Sequence, residues 1–471
     1  MSANIFTVKR SEIEGRLDPV YYIRKNELVG YKHLKLEKIG KHFFVKDGDH
    51  DKLPDDAVSD ENNGFRYLRA QDLKENKIIS EKPIYVTKKY FESVRRCHIY
   101  PNDLLFSIMA SVGATAVVPK NFSICTANRA VGILRAKDEA VFLPEYVQVV
   151  LNTELGIKLL ELQKRGGIQQ RVNLDDISNL ELPVFDFEKQ GEIIDFYNSS
   201  LSQKQQKQEQ AKELLASIDS YLLSELGITL PQKDNSLSKR IFKTKFSEVT
   251  GGRWDAYYNN QYYKDFDVQI ESTNFSKDIL KNICSFTSGV VYSSSDERKM
   301  GKTILRANNI NLETNEVDLK DIKYIDSNIE LDNSMKLRSN DIFICTASGS
   351  KEHAGKVAFI EDDTDLYFGG FMGVLRVFNK NVYPRYLFEY LASCIFRTHL
   401  FRNLGGTNIN NINFTMLSPL KIPLPPLPKQ EEIAEHIRSI RTQTKQLQAE
   451  AEKILQDARH QVEKMILGEQ I

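Results

Sequence analysis

After Pro428, apolar or small residues recur at Ile433, Ile437, Ile440, Thr444, Leu447, Ala451, Ile454 and Ala458. This alternating four-three spacing is a heptad seam sustained for about four heptads, and it predicts one long helix. The same register runs through Ile193, Tyr197, Ser200, Lys204, Lys207, Ala211, Leu214 and Ile218, but there the middle of the seam is polar. Each helix has room for about 40 residues, roughly 60 Å at 1.5 Å per residue. Prolines at 183 and at 423, 425, 426 and 428 mark the entries, because proline tolerates a helix start but not its interior. Such a helix cannot hide its seam alone, so two equivalent seams predict that they pair with each other. The polar middle points to imperfect pairing or to cover from another protein. Packing of each helix on its own globular domain is the alternative.

Ahead of each helix the pattern is different. Runs such as "KPIYVT", "DLLFSI", "AVGILRA", "DIFICTA" and "KVAFI" have the length and β-branched content of strands. "PEYVQVVLNTELGIKLLEL" reads as a helix, and "GITLPQKDNSLSKR" as a linker rich in turn formers. The expected boundaries are a globular α/β (α+β) domain at 1–186, a helix at 187–228, a linker at 229–240, a second domain at 241–427 and a second helix at 428–469.

The two halves repeat one another. "GRLDPVYY" at 15–22 returns as "GRWDAYY" at 252–258, and "IFTVKRSEIEG" ahead of it as "IFKTKFSEVTG". "YLRAQDL" answers to "ILRANNI", "NDLLF" to "NDIFI", "GILRA" to "GVLRV", "LPEYVQVVL" to "YPRYLFEYL", "RGGIQQ" to "LGGTNI", "LELPV" to "LKIPL" and "EKQGEII" to "PKQEEIA". The order never changes and the separation stays within a few residues of 240, which marks a tandem duplication with pseudo-two-fold character.

Composition narrows the chemistry. Lys plus Arg equals Asp plus Glu at 64 each, so a polyanion must be attracted by local clustering rather than by net charge. The five cysteines are widely spaced and form no C-x-x-C pair, which suggests neither a disulfide framework nor a zinc site. No apolar run approaches a membrane helix, and the start "MSANIFTVKRSEIEG" lacks the apolar stretch of a signal peptide; a cytoplasmic protein without membrane attachment is expected. There is no phosphate loop of the G-x-x-x-x-G-K-S/T type and no N-P-P-F-like loop for holding a target base. The acidic loop "DGDHDKLPDD" lacks the spacing of a calcium site, so no metal and no catalytic constellation is assigned.

The chain resembles the specificity subunit of type I restriction-modification enzymes over essentially its whole length. The resemblance is carried by "LKIPLPPLPKQEEI" at 420–433, its weaker partner "LELPVFDFEKQGEI", the glycine pairs at 166–167 and 405–406, and the "DIF" strand followed by a glycine-bearing loop and "GKV". The first half departs from it at "SIMASVGATAVV", which lacks the Gly-Lys of "HAGKVAF". The resemblance implies two target-recognition domains on two long antiparallel coiled-coil-like spacer helices, a non-catalytic subunit that reads a split, asymmetric sequence of double-stranded DNA. It implies as partners two methyltransferase subunits and, in the restricting form, two motor-nuclease subunits, which supply the S-adenosylmethionine, ATP and magnesium chemistry. A self-contained DNA-modifying enzyme with degenerate motifs and a two-domain protein-binding scaffold are the rival readings.

Two readers of different half-sites should share phosphate contacts and differ where bases are read. Arg69 and Arg306, shared within "LRA", fit phosphate positioning and a structural carboxylate pair equally. Their neighbours Gln71, Asn308 and Asn309 differ between halves, and amides can read adenine bidentately. The loops after the shared strand offer Ser107 and Ser111 in one half, and Thr346, Ser348, Ser350, Lys351, His353 and Lys356 in the other. The segments after the glycine pairs add Gln169, Gln170 and Arg171, and Asn408, Asn410 and Asn411, residue types that also serve as caps and turns.

Overall fold

A computed structural model describes residues 33–109, 112–163, 172–234, 236, 241–249, 253–350, 352–404 and 410–468. The chain divides into two compact units, Met1–Lys207 with Ala449–Ile471, and Gln208–Gln448.

Apart from a short hairpin of Leu73–Lys74 with Lys77–Ile78, the strands of the first unit are β1 (Leu36–Lys38), β2 (Phe43–Asp47), β3 (Val58–Ser59), β4 (Phe65–Leu68), β5 (Ile84–Val86), β6 (Leu104–Ser107), β7 (Thr115–Val117), β8 (Thr126–Ala127), β9 (Val131–Ala136) and β10 (Glu181–Pro183). They form one sheet in the order β2-β9-β6-β7, a second in the order β8-β4-β5-β3, and the pair β1-β10. The second unit has β11 (Ser276–Ile279), β12 (Cys284–Ser288), β13 (Glu297–Arg298), β14 (Lys302–Leu305), β15 (Lys323–Ile325), β16 (Ile342–Cys345), β17 (Ala347–Ser348), β18 (Val357–Phe359), β19 (Tyr367–Phe368), β20 (Met372–Val377), β21 (Asn410–Asn411) and β22 (Lys421–Leu424). Its sheets run β12-β20-β16-β18 and β19-β14-β15-β13, with the pairs β11-β22 and β17-β21. The duplication read from the sequence is therefore a duplication of sheet order. Register repeats too: Leu104 faces Leu134 as Ile342 faces Leu375.

The central strands read "LLFS" and "IFIC" without polar alternation because both faces of their sheet are covered. Leu104 and Phe106 enter one core while Leu105, one residue out of phase, enters another. Ile342 and Ile344 part from Phe343 and Cys345 in the same way. The period-two geometry of a strand thus distributes a single apolar run between two cores.

Each half then supplies two helices rather than the continuous one expected from "PEYVQVVLNTELGIKLLEL". They are α1 (Pro144–Leu151) and α2 (Glu154–Gln163) in the first unit. The break is at Thr153, whose hydroxyl donates to Val150 O at 2.6 Å and accepts from Gly156 N at 3.2 Å. A hydroxyl that satisfies backbone groups on both sides stops one helix and caps the next.

The long helices are α3 (Phe187–Leu226) and, in the second half, α7 (Leu427–Leu467). Between them lie α4 (Gln261–Ser272), α5 (Pro384–Ala392) and α6 (Cys394–Leu404), with Ser393 making at the last break the turn that Thr153 makes in the first unit. Within the first unit, Ile193 and Tyr197 share a core with Ala458, Val462 and Ile466. Within the second, Ile218, Leu222 and Leu226 share one with Ile433, Ala434, Ile437 and Ile440. In both, the partner number falls as the α3 number rises, so the helices run antiparallel. The polar middle of the seam has partners on α7: Lys204 lies 3.4 Å from Glu452, and Lys207 lies 2.8 Å from Glu450. Both sequence alternatives therefore hold together, because each seam packs on the other helix and on a globular core at once.

Candidate nucleic-acid interface

Strand β4 ends at Leu68 and turns through Arg69 into one 3-10 turn, Ala70–Asp72. The buried Asp72 accepts from Arg69 N at 2.9 Å, Nε at 3.3 Å and Nη2 at 3.2 Å, and Nη2 also donates to Lys82 O at 3.0 Å. In the second unit Asn309 takes the place of Asp72 and accepts from Arg306 N at 2.8 Å. Asn309 is 0 % exposed, and its Nδ2 donates to Asp318 O at 2.7 Å and Asp321 O at 2.9 Å. Its sequence reading as a base reader is overturned, since both ends of the amide are consumed inside the turn. Arg306 Nη2 donates to Asp321 Oδ2 at 2.9 Å, and the Asn308 amide shares that carboxylate. The geometry thus realises the structural carboxylate pair at both arginines. What remains outward at this corner is Gln71 in one unit and Asn308 in the other. With its amide oxygen turned towards Arg69, Gln71 accepts from both Nη atoms at 3.0 and 3.1 Å.

The loops after β6 and β16 sort in the same way. Ser107 is 0 % exposed and donates to Met109 O at 2.9 Å, so it shapes the loop and is not a surface contact. Lys356 is 4 % exposed; its Nζ donates to Ile310 O at 2.8 Å and lies 3.3 Å from His353 Nδ1. Burial lowers the Lys356 pKa. An ammonium spent on a carbonyl inside the fold has no reach to a phosphate, which overturns that expectation for Lys356 and draws His353 inward beside it. Thr346 is also buried, contrary to its reading as a contact, and works through its backbone, with N donating to Phe371 O at 2.9 Å and O accepting from Ile412 N at 2.7 Å. Ser350 is exposed, and Ser348 is half-buried, its Oγ accepting from Ser350 N at 3.2 Å. Ser111 and Lys351 lie outside the described residues.

Strands β17 and β21 bring the two candidate segments of the second half together, Ala347 facing Asn411 and Ser348 facing Asn410. Asn411 is exposed, opposite Ala347. Gln169, Gln170, Arg171 and Asn408 lie outside the described residues, as does the side chain of Asn410. The first unit keeps the underlying bond, Val172 N donating to Ile108 O at 3.2 Å. Gly113 and Gly355 close the loops at φ of +100° and +77°, in the left-handed region that favours glycine.

Several residues that hold this surface are not among the sequence candidates. Asp103 accepts from Arg135 at 2.8 and 2.6 Å and from Tyr100 N at 2.8 Å. Asp341 does the same for Arg376, at 2.8 and 3.0 Å, and for Arg338 N at 2.8 Å. Gln190 and Gln430, both fully buried, each tie a long helix to the segment leading into α1 or α5, through Leu143 N and Tyr383 N at 2.9 Å. All are identical in the two copies, and that identity is the sequence signal for them. The repeated opening phrase also finds a structural reason in its second copy. Arg253 donates to Asp255 at 2.8 Å and to Asn403 O at 2.5 Å, and the Arg402 guanidinium lies 4.3 Å from the centre of the Tyr258 ring. The phrase braces the end of α6 just ahead of the glycine pair; its first copy lies outside the described residues.

The acidic loop is engaged within the fold: Asp47 pairs with Arg96 at 3.0 Å and with His50 at 2.6 Å, and Asp49 accepts from Tyr90 at 2.6 Å. Among the described residues no cluster of three or more His, Cys, Asp or Glu is arranged to hold a metal, and no helix is long and apolar enough to cross a membrane.

Comparison with known proteins agrees with this architecture. Residues 45–216 and 273–456 each match the family described as the type I restriction modification DNA specificity domain. The type I restriction enzyme EcoKI specificity subunit of Escherichia coli is 33% identical over 153 residues, 32% of this chain and 32% of that one. The putative type I restriction enzyme MjaX specificity subunit of Methanocaldococcus jannaschii is 27% identical over 183 residues, 38% of this chain and 42% of that one. The matched stretches thus span about a third to two fifths of the relatives' lengths. A solved structure from work on assembly and conformational transition of the type I restriction-modification system covers 93% of this chain and 98% of its own at 15% identity, with a TM-score of 0.53, and shares the fold. With two copies of the domain occupying most of its length, the chain belongs to the type I restriction-modification DNA specificity family.

Proposed function

We propose that the protein is the DNA-recognition subunit of a type I restriction-modification complex, each unit reading one part of a split, asymmetric site. The observation that carries this reading is the way the duplication divides. Buried framework groups such as Asp103 and Asp341 or Gln190 and Gln430 are the same in both units, while the exposed corner holds Gln71 in one and Asn308 in the other. Shared scaffold with divergent exposed amides is what two readers of different sequences require. The subunit itself is non-catalytic. Two methyltransferase subunits dock on it, together with two motor-nuclease subunits where the system also cuts. S-adenosylmethionine, ATP and magnesium are handled by those partners, in the cytoplasm.

The test is co-expression with the partner methyltransferase and mapping of methylated bases. A single bipartite sequence is expected, and exchange of residues 240–425 for those of a relative should change one half of it only. Methyl transfer by the isolated chain would favour a self-contained enzyme. Absence of any salt-dependent DNA binding by the assembled complex would favour a protein-binding scaffold.

A further inference from the structure

Phe371 is 73 % exposed, in the turn between β19 and β20. A phenylalanine left in water forgoes about 1.5–3 kcal/mol of burial, and among the described residues no ring or cation packs on it. Its position is fixed from two sides. Its carbonyl accepts from Thr346 N at 2.9 Å and Ala347 N at 3.3 Å, at the root of the loop that presents Ser348 and Ser350. Two residues earlier, Gly369 N donates to Leu305 O at 2.9 Å, next to the Arg306 and Asn308 corner. The residue therefore sits in a turn bonded to both polar segments of the candidate interface. Val291, also strongly exposed, lies beside the same turn, since a Cβ on Gly370 would come within 3.2 Å of its Cγ2.

The first unit builds the same turn with other side chains. Asn128 N donates to Leu68 O at 3.0 Å and Ile108 N donates to Ala130 O at 3.0 Å, the equivalents of the bonds just described. Here "ANRAV" stands where the second unit has "FGGFM", and Arg129 is exposed. By these bonds Phe371 corresponds to Ala130 and Arg129 to Gly370, so one backbone turn carries a cation in one unit and, one position later, an apolar ring in the other. That pattern fits a surface that meets DNA, because phosphates attract the first and bases accept the second.

Resting on the reading that each unit grips DNA, we propose that Phe371 is a base-contacting residue of the second unit. Its ring packs on the bases of that half-site, while Arg129 at the corresponding turn holds the first half-site by charge. Apolar contact with bases takes two forms, packing on a thymine methyl and wedging into a base step.

The experiment uses the complex of the full chain with its methyltransferase subunits, on a duplex containing its mapped site. Phe371→Ala should weaken cognate binding about 5- to 150-fold with the salt dependence unchanged. Arg129→Ala should instead lower the slope of log affinity against log salt by about one. Phe371→Trp should retain binding, because the larger ring still offers a face to a base, and Phe378→Ala, another exposed ring of the same unit, should change nothing. Thermal unfolding of each variant separates lost folding from lost contact. Replacing thymines of the second half-site by uracil should weaken wild type but not Phe371→Ala if the ring meets a methyl. A 2-aminopurine fluorescence rise lost in Phe371→Ala identifies a wedge. Specific binding by wild type with no loss in folded Phe371→Ala overturns this proposal and leaves the DNA reading intact. Loss of methyltransferase assembly with unaltered DNA affinity also overturns it, in favour of a protein contact. Absence of specific binding by wild type overturns the DNA reading beneath it.

Discussion

The guanidinium of Arg441 closes on the carboxylate of Glu389, with Nη2 at 2.8 Å and Nε at 3.2 Å, and its Nη1 donates to Thr314 O at 2.8 Å. Glu389 is on α5 and Arg441 is on α7, so one buried ion pair fastens the long helix to the second domain at a defined register. Burial holds the Glu389 carboxyl above its ordinary value, with Arg441 offsetting part of that rise.

Arg441→Ala leaves that carboxylate alone in the interior and should cost the second unit about 3–5 kcal/mol at neutral pH. A carboxyl whose pKa is raised by folding is accommodated below its unfolded value and penalises the fold as pH climbs through the raised one. The loss in Arg441→Ala should therefore grow as pH rises out of the carboxylate range. Adding Glu389→Gln should flatten that pH dependence. Denaturant titration across pH, followed by hydrogen exchange in α5, measures both.

Asp341→Ala should remove the carboxylate shared by Arg376 and Arg338 N, leaving Arg376 only the Ser334 and Lys336 carbonyls, and Asp103→Ala should do the same for Tyr100 N and Arg135, which keeps only His98 O. Each deletion removes the partner of a partly buried arginine and is expected to cost about 3 kcal/mol. Hydrogen exchange should report the damage in the altered unit and little in the other, because the two have separate cores.

The seam lysines are a different matter. Lys207 and Glu450 are more than a third exposed, and such pairs are worth only about 0.2–1 kcal/mol. Lys207→Glu should lower stability by a comparable amount at low salt, Glu450→Lys should rescue it in the double variant, and high salt should erase both effects. Loss of several kcal/mol would mean the pair is more deeply desolvated than its exposure indicates.

Asn308→Ala should relax the second half of the recognised sequence by about 1–3 kcal/mol at one position, and Gln71→Ala the first half. Methylation mapping of each complex reads this directly. A uniform loss across all sequences would place these amides on phosphates instead.

Periodic features were legible in the sequence. The buried faces of Ile433, Ile437, Thr444, Ala451 and Ala458 follow from four-three spacing, and the repeated sheet order follows from repeated words. The fate of isolated polar residues was not legible, because residue type does not say whether a hydrogen bond goes to solvent or to a carbonyl inside. Lys356 and Ser107 gave no warning. Asn309 gave one: it replaces Asp72 in the repeat, and a short acceptor three residues after the arginine in both copies signals a turn rather than a reader. The break at Thr153 did leave a trace, because the polar Asn152-Thr153-Glu154 interrupts the apolar run and sets a capping hydroxyl ahead of an acidic first turn, but a helix-period pattern on both sides masks it.

The first unit does not finish with its own stretch of chain. Ala458, Val462 and Ile466, from the far end of the sequence, complete the core that holds Ile193 and Tyr197. On a ribosome the first unit is therefore begun first and closed last, since the helix residues that complete its core arrive only after the second unit has been synthesised. A polypeptide interrupted before Ala449 lacks Ala458, Val462 and Ile466 and so leaves that apolar core open, the kind of exposed surface that makes folding intermediates prone to aggregate. Sequence order thereby makes closure of the first core wait on synthesis of the second unit.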